Sequence, residues 1–172
     1  MFTVFVALEG FHLKNFGFIV KEMTVVYPTG SEYDHFLFES PSGVPFAEGD
    51  QQTVNFCTNK IHGLHWDEGT IPYQTVFKVL DGIRSCHIVC HGCAASQFIK
   101  KHLPNSKVTD TASLGHVLPR TILKRPCGRK HRGRNCSLSK AFYIMENFEW
   151  FIKTFVLFVH EYRLVTNRNP RL

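Results

Sequence analysis

Three consecutive strand-like runs near the start of the chain restrict its possible folds more than any other feature. The runs FTVFVALEG, NFGFIVKEMTVVYP and YDHFLFES are rich in β-branched and aromatic residues and are separated by short turns. Such runs predict antiparallel neighbours in one sheet. Two further strand-like runs, SCHIVCHG and SKVTD, alternate with helical patterns later in the chain. The sequence therefore predicts an α/β fold with a mixed sheet, three antiparallel strands followed by α/β alternation, and helices on both faces.

Helical patterns fill most of the remaining chain. A long helix is predicted to begin near SLSKAF, with Ser137 or Ser139 as its N-cap residue. The 172 residues fit one domain over 1–164, followed by a frayed C-terminal tail at 165–172. The apolar run FEWFIKTFVLFVHEYRLV is interrupted by charged residues, so we predict a buried helix and no membrane association. The other helical patterns are DQQTVNFCTNKIHG, PYQTVFKVLDGI, CAASQFIKKHLP and TASLGHVLP.

Charge and cysteine content narrow the partners and the compartment. The net charge of +6 favours an acidic partner, with nucleic acid first among the candidates. The chain has six cysteines but no recognisable secretory signal, because the apolar start from Met1 to Ala7 is too short. A reducing, intracellular location in the cytoplasm or nucleus is therefore predicted rather than a disulfide framework.

Several motifs resemble, in order, those of the three-prime exonuclease branch of the ribonuclease H-like fold. FVALEGF is similar to the first exonuclease motif, in which Asp-x-Glu follows the first strand. IVCHGCAASQFIKKHL resembles the second motif, and KVTDTASLGHVL resembles the strand and Asp-Thr pair that follow it. NCSLSKAF is similar to the third motif, His-x-Ala-Leu-x-Asp-Ala. The resemblance implies a ribonuclease H-like, exonuclease-like domain.

The motif positions that carry the family's chemistry are altered here. In that family, carboxylates hold two divalent ions that activate water, and Mg²⁺ requires oxygen ligands. One of the four carboxylates, Glu9, is retained, although it is also explained as an ordinary residue at a strand end. The resemblance therefore implies a catalytically degenerate site and argues against bound magnesium. The altered positions are Ala7, Ser96, Asn135 and Lys140.

The segment CGRKHRGRNC combines soft metal ligands at close spacing. Cys127, His131 and Cys136 form a C-x3-H-x4-C pattern, which suits one structural zinc ion with a fourth ligand from elsewhere. A basic loop that holds these residues by chance is the alternative. The pattern, followed by Ser-Leu-Ser, resembles the nuclease-like domain of the Maelstrom proteins, germline factors of the piRNA pathway that bind zinc through Glu, Cys, His and Cys.

That second resemblance implies that Glu22, on the second strand, is the fourth zinc ligand. Glu22 is flanked by apolar strand residues, and a buried carboxylate needs a partner. The alternatives are a solvent-facing Glu22 or a fourth ligand from His116 or His12. Maelstrom proteins usually carry an HMG box, for which this chain has no room, so the resemblance covers the nuclease-like domain only.

A basic run surrounds the predicted zinc ligands and favours phosphate binding, although a nuclear-import signal or a solvated loop explains it equally well. Exonuclease-like folds thread single strands, so single-stranded RNA is the predicted partner, and the resemblance implies a role in RNA silencing. Phe11, His65 and Trp66 are candidates for base stacking or, alternatively, for packing. The basic residues are Lys124, Arg125, Arg129, Lys130, Arg132 and Arg134.

Three hypotheses about function remain open at this stage. The first is a degenerate exonuclease-like domain that contains structural zinc and binds RNA or acts as an adaptor. The second is an active nuclease with an atypical site, which acts through Glu9 with Asp110 and optionally Asp34, or through a metal-independent route. The third is a protein-interaction module that does not bind nucleic acid.

Overall fold

A computed structural model describes residues 2–119 and 136–148, and all five predicted strands are present in them as one sheet. The strand order is β3-β2-β1-β4-β5. β2 is antiparallel to both β1 and β3, whereas β4 is parallel to both β1 and β5. The predicted α/β class with a mixed sheet is thus confirmed. The strands are β1 (Thr3–Leu13), β2 (Gly17–Val26), β3 (Tyr33–Leu37), β4 (His87–Cys90) and β5 (Lys107–Asp110).

The helices follow in the predicted order. α1 continues directly into a π-helical turn at Cys57–Ile61, and a short 3-10 helix at Ala112–Leu114 follows β5. No helix in the described part of the chain has the length and apolarity that crossing a membrane requires. The predicted C-terminal tail and the apolar run after Phe148 lie outside the described residues. The helices are α1 (Asp50–Phe56), α2 (Thr75–Gly82), α3 (Cys93–His102) and α4, described over residues 137–148.

Helices cover both faces of the sheet because successive side chains of a strand point to opposite sides. Val4, Val6 and Leu8 of β1 belong to a buried cluster that contains residues of α2 and α3. The alternating residues Phe5 and Ala7 belong to a second cluster with residues of α4. The predicted placement of helices on both faces is therefore observed, and the α4 face carries the candidate site.

A β-bulge interrupts the pairing of β1 with β2 beside the first motif. Glu9 pairs with Glu22 but Gly10 pairs with Val20, so Lys21 is the extra residue of the bulge. A Cβ atom on Gly10 would lie 1.9 Å from the carbonyl oxygen of Ile19, which only glycine avoids. The expectation that Glu9 lies at a strand end is wrong, because β1 continues past the bulge to Leu13.

The bulged residue Lys21 is fully buried, which its charge did not suggest. Its ammonium donates hydrogen bonds to Ser40 Oγ (3.0 Å) and to the carbonyl oxygens of Trp66 (2.8 Å) and Glu68. Burial lowers the pKa of Lys21 to about 8, although the nearby carboxylate of Glu68 opposes the shift. Lys21 therefore ties two loops, one after β3 and one before α2, to the centre of the sheet.

Candidate functional site

Two buried carboxylates lie side by side on the sheet face that α4 covers. Glu9 and Glu22 are direct partners across β1 and β2, and they are 6% and 1% exposed. Two negative charges on directly paired residues repel each other, which is unfavourable unless each has its own compensating group. α4 and its flanking residues provide a different group for each, which divides the site into two halves.

In the first half, Lys140 of α4 forms an ion pair with Glu9. The Lys140 side chain is 19% exposed and that of Glu9 is 7% exposed, so water screens the pair weakly. Burial raises the pKa of Glu9 to about 6, and the Lys140 ammonium limits this rise. The Lys140 ammonium therefore balances the charge of the Glu9 carboxylate.

Of the other altered positions in the described residues, Ala7 lies near the Glu9–Lys140 pair and Ser96 has separate contacts. Ala7 is buried in the cluster that contains Ala141, the residue after Lys140, so the first and third motifs do meet. Ser96 is held separately, with its hydroxyl donating to Cys93 O (3.1 Å) and Asp110 Oδ2 (3.3 Å). Asn135 lies outside the described residues.

In the second half, Glu22 accepts hydrogen bonds at the start of α4. The Ser137 amide donates to Glu22 Oε2 (2.8 Å), and the Cys136 thiol lies 3.9 Å from Oε1. The carboxylate thus receives one of the amide groups that a helix start leaves without an intrahelical acceptor, and its charge suits the positive end of the helix dipole. Because α4 begins at residue 137, the preceding Cys136, and neither of the predicted serines, occupies the N-cap position.

His35 of β3 completes the surroundings of Glu22, and sequence reasoning did not identify it. His35 Nε2 lies 3.4 Å from Glu22 Oε1, and its Nδ1 is hydrogen-bonded to the Thr24 hydroxyl (2.8 Å). The Thr24 hydroxyl is also hydrogen-bonded to that of Ser137 (2.7 Å). In the sequence, His35 is one of several polar residues of these two strands, and only the strand register places it opposite Thr24.

The predicted zinc ligands are therefore described only in part. Glu22 and Cys136 are adjacent and buried, which rules out the alternative of a solvent-facing Glu22. Cys127 and His131 lie outside the described residues. Within residues 2–119 and 136–148, no group of three or more His, Cys, Asp or Glu side chains is arranged to hold a metal ion.

The two alternative fourth ligands differ in position from Glu22. His12 is exposed and lies three residues beyond Glu9 on β1, a distance of about 10 Å along the strand. The His116 ring packs near the rings of His91 and Tyr143, each with a centroid distance of 5.8 Å. Neither arrangement points to a position beside Cys136.

A cavity of about 250 Å³ opens beside Glu9, where β1 and β4 meet the start of α3. His62 fixes one wall, since its Nδ1 accepts from the Leu64 amide (3.1 Å) and its Nε2 lies 3.1 Å from Gly10 O. These contacts make His62 a structural residue of the turn. The cavity is lined by Leu8, Glu9, Gly10, Phe18, Cys57, Ile61, His62, His91, Gly92, Cys93, Ala94 and Ala95.

Asp110 and His91 also have structural partners. Asp110 Oδ1 accepts from the amides of Gly92 (2.8 Å) and Ala112 (2.9 Å), which joins the ends of β4 and β5. His91 Nδ1 is hydrogen-bonded to the Thr111 hydroxyl (2.8 Å). Burial, together with the neighbouring His116, lowers the pKa of His91, so the ring is neutral near pH 7.

Asp34 and Asp110, two acids of the atypical nuclease hypothesis, are not brought together. Asp34 lies on β3 and Asp110 on β5, the two outer strands of the sheet. Four strand spacings separate these positions, which is roughly 19 Å. Asp34 also accepts a hydrogen bond from Tyr27 Oη (2.8 Å). These two aspartates therefore cannot share a metal ion.

The candidates for base stacking are only partly suited to that role. Phe11 is fully buried and packs against His62 and Trp66, so packing is its role. Trp66 is half-buried against Phe46, and His65 is exposed. The predicted basic run, Lys124, Arg125, Arg129, Lys130, Arg132 and Arg134, lies outside the described residues.

Comparison with known proteins adds no relative to this description. The chain matches no protein-family model, and it has no significant match among curated proteins.

Proposed function

We propose that this chain is a ribonuclease H-like, exonuclease-derived domain that has lost catalysis, contains a structural zinc ion and binds single-stranded RNA. The observation that carries the proposal is the ion pair between Lys140 and Glu9. The third-motif resemblance expects an aspartate at position 140. A lysine there replaces a ligand for Mg²⁺ with a cation that repels it and pairs with the remaining carboxylate.

The arrangement of the sheet supports the fold assignment. The apolar runs predicted three antiparallel strands followed by α/β alternation, an order that resembles the ribonuclease H-like fold, and the observed strand directions agree with it. The first and third motifs are far apart in the chain, yet Ala7 and Glu9 of the first contact the α4 region that contains the third. Motifs identified by chance would have no reason to converge in this way.

The zinc assignment is supported by the chemistry of the residues near Glu22. Glu22 Oε1 lies 3.9 Å from the Cys136 thiol and 3.4 Å from His35 Nε2. These are ligand types that zinc accepts. Glu22, Cys127, His131 and Cys136 would hold the ion, and His35 would orient Glu22. Bound zinc would stabilise the fold without supplying catalysis.

Metal analysis of the purified protein tests this site. We expect one zinc per chain, and we expect Cys136→Ser to lower the zinc content at least tenfold because it removes a thiolate ligand. The matched control is Cys93→Ser, since Cys93 is an exposed free cysteine on α3. Protein without stoichiometric zinc, or full zinc retention by Cys136→Ser, would contradict the assignment.

A nuclease assay tests the loss of catalysis. Labelled single-stranded RNA and DNA should remain intact with Mg²⁺ or Mn²⁺, because Glu9 is the only carboxylate of the four motif positions and is paired with Lys140. A Glu9→Gln variant run in parallel identifies contaminating nucleases. Cleavage by the wild type that this variant abolishes would establish the active-nuclease alternative instead.

A further inference from the structure

An open groove of about 320 Å³ lies beside the cavity at Glu9. Its walls come from the turn between β1 and β2, the start of α2 and one side of α3. Phe18 and Ala94 line both the groove and the cavity, so the two spaces are adjacent. We call this space the aromatic groove; its lining includes Phe16, Phe18, Tyr73, Phe77, Phe98 and His102.

Two phenylalanine side chains of the aromatic groove are exposed to solvent. Phe16 is 41% exposed and Phe77 is 39% exposed. The Phe77 ring centroid is 4.9 Å from that of His102, which in turn is 4.6 Å from that of Phe98. These contacts hold Phe77 in place beneath its exposed surface. The groove therefore presents fixed aromatic surface to a ligand that lies along it.

The charge of the aromatic groove is one-sided. Lys101, His12 and His102 contribute to its lining, and no carboxylate does. Burial, reinforced by Lys101, lowers the pKa of His102, so its ring is neutral near pH 7 and Lys101 provides the cation. A ligand with negative charge and flat apolar groups complements this surface.

The adjacent cavity, which Glu9 lines, does not reverse the preference of the groove for a negatively charged ligand. Glu9 is the carboxylate that lines it, and the Lys140 ammonium is paired with that carboxylate. A polyanion that extends from the groove towards the cavity therefore meets a neutralised acid. A single-stranded nucleic acid has both required properties, since its bases stack on aromatic rings and its phosphates attract lysine. Paired bases in a duplex would not be available to the rings.

We propose that single-stranded RNA binds along the aromatic groove, with bases against Phe16 and Phe77 and a phosphate beside Lys101. This inference rests on the proposed RNA-binding function, and it assigns contacts that the basic run near Cys127 does not account for. It also replaces Phe11 with Phe16 and Phe77 as stacking residues.

Fluorescence anisotropy with a labelled oligouridine of about twelve nucleotides tests the assignment. We expect Phe16→Ala and Phe77→Ala each to weaken binding at least fivefold, since stacking on one base commonly contributes that much or more. Lys101→Ala should weaken binding and reduce the slope of log affinity against log salt by about 0.7, the value for one phosphate contact on a single strand. An oligomer of equal length with abasic sites, and an RNA duplex, should bind less tightly than the oligouridine.

Two matched controls lie outside the aromatic groove. Phe56→Ala removes a ring that is 59% exposed on α1, and Lys107→Ala removes an exposed cation at the start of β5. Both should bind the oligouridine within twofold of the wild type. If the wild type binds but Phe16→Ala, Phe77→Ala and Lys101→Ala bind equally well, the groove assignment is overturned and the RNA-binding function stands. If the wild type does not bind the oligouridine, the proposed function fails and the groove assignment fails with it.

Discussion

Lys140→Met is expected to lower the free energy of unfolding by about 3 kcal/mol, because it leaves Glu9 as a buried carboxylate without its cation. The loss is limited by protonation of Glu9, since burial already raises the pKa of this carboxyl to about 6. Urea denaturation at pH 7 measures the effect. The ammonium thus stabilises the buried Glu9 carboxylate.

A double-mutant cycle with Glu9→Gln and Lys140→Met isolates the contribution of the pair. We expect a coupling free energy of about 2 kcal/mol, because both side chains are largely buried. The matched control is the exposed pair of Asp81 and Arg84, for which the coupling should stay below about 0.5 kcal/mol. Equal coupling in the two cycles would show that the buried pair does not compensate Glu9.

Gly10→Ala is expected to be the most destabilising single methyl addition in the sheet. The new Cβ would lie 1.9 Å from Ile19 O and 3.1 Å from Val20 Cα, and both are backbone atoms that cannot move without breaking the strand pairing. We expect a loss of at least about 3 kcal/mol in the free energy of unfolding, measured by thermal or urea denaturation.

Gly82→Ala is the matched control for this substitution. Gly82 ends α2, and a Cβ there meets no atom within 4 Å. Its replacement should be neutral or slightly stabilising, because alanine restricts the unfolded chain and favours helix. A Gly10→Ala variant as stable as Gly82→Ala would be inconsistent with the β-bulge between Glu9 and Gly10. The same bulge directs Lys21 towards the loops after β3 and before α2, so loss of the bulge should also release these loops.

The local pattern of the sequence was sufficient for most of the architecture. Alternating and continuous apolar runs predicted each strand, and the helical patterns placed α1, α2 and α3 correctly. The pattern failed at Glu9, where a strand end was expected, because a β-bulge depends on the approach of the partner strand at Ile19 and Val20. It also did not distinguish packing from ligand binding at Phe11, because burial depends on what covers the strand.

Most residues of the candidate site were predicted from the sequence, but the contacts between them were not. The altered positions Ala7 and Lys140 were visible in the motifs, whereas the pairing of Lys140 with Glu9 was not. Glu22 was predicted as an acid in need of a partner, and it does lie beside Cys136, which is 114 residues away in the chain. His35 had no motif to reveal it, since its position follows only from the pairing of β3 with β2.

The sequence by itself determined the order of strands and helices along the chain, the apolar positions within them, and the absence of an acid at Ala7, Ser96 and Lys140. Short-range periodicity and residue chemistry contain that information. The tertiary structure alone decided that α4 docks over β1 and β2, that its lysine neutralises Glu9, and that its first amide binds Glu22. These contacts depend on the register of the sheet and the docking of a distant helix, which no local pattern specifies.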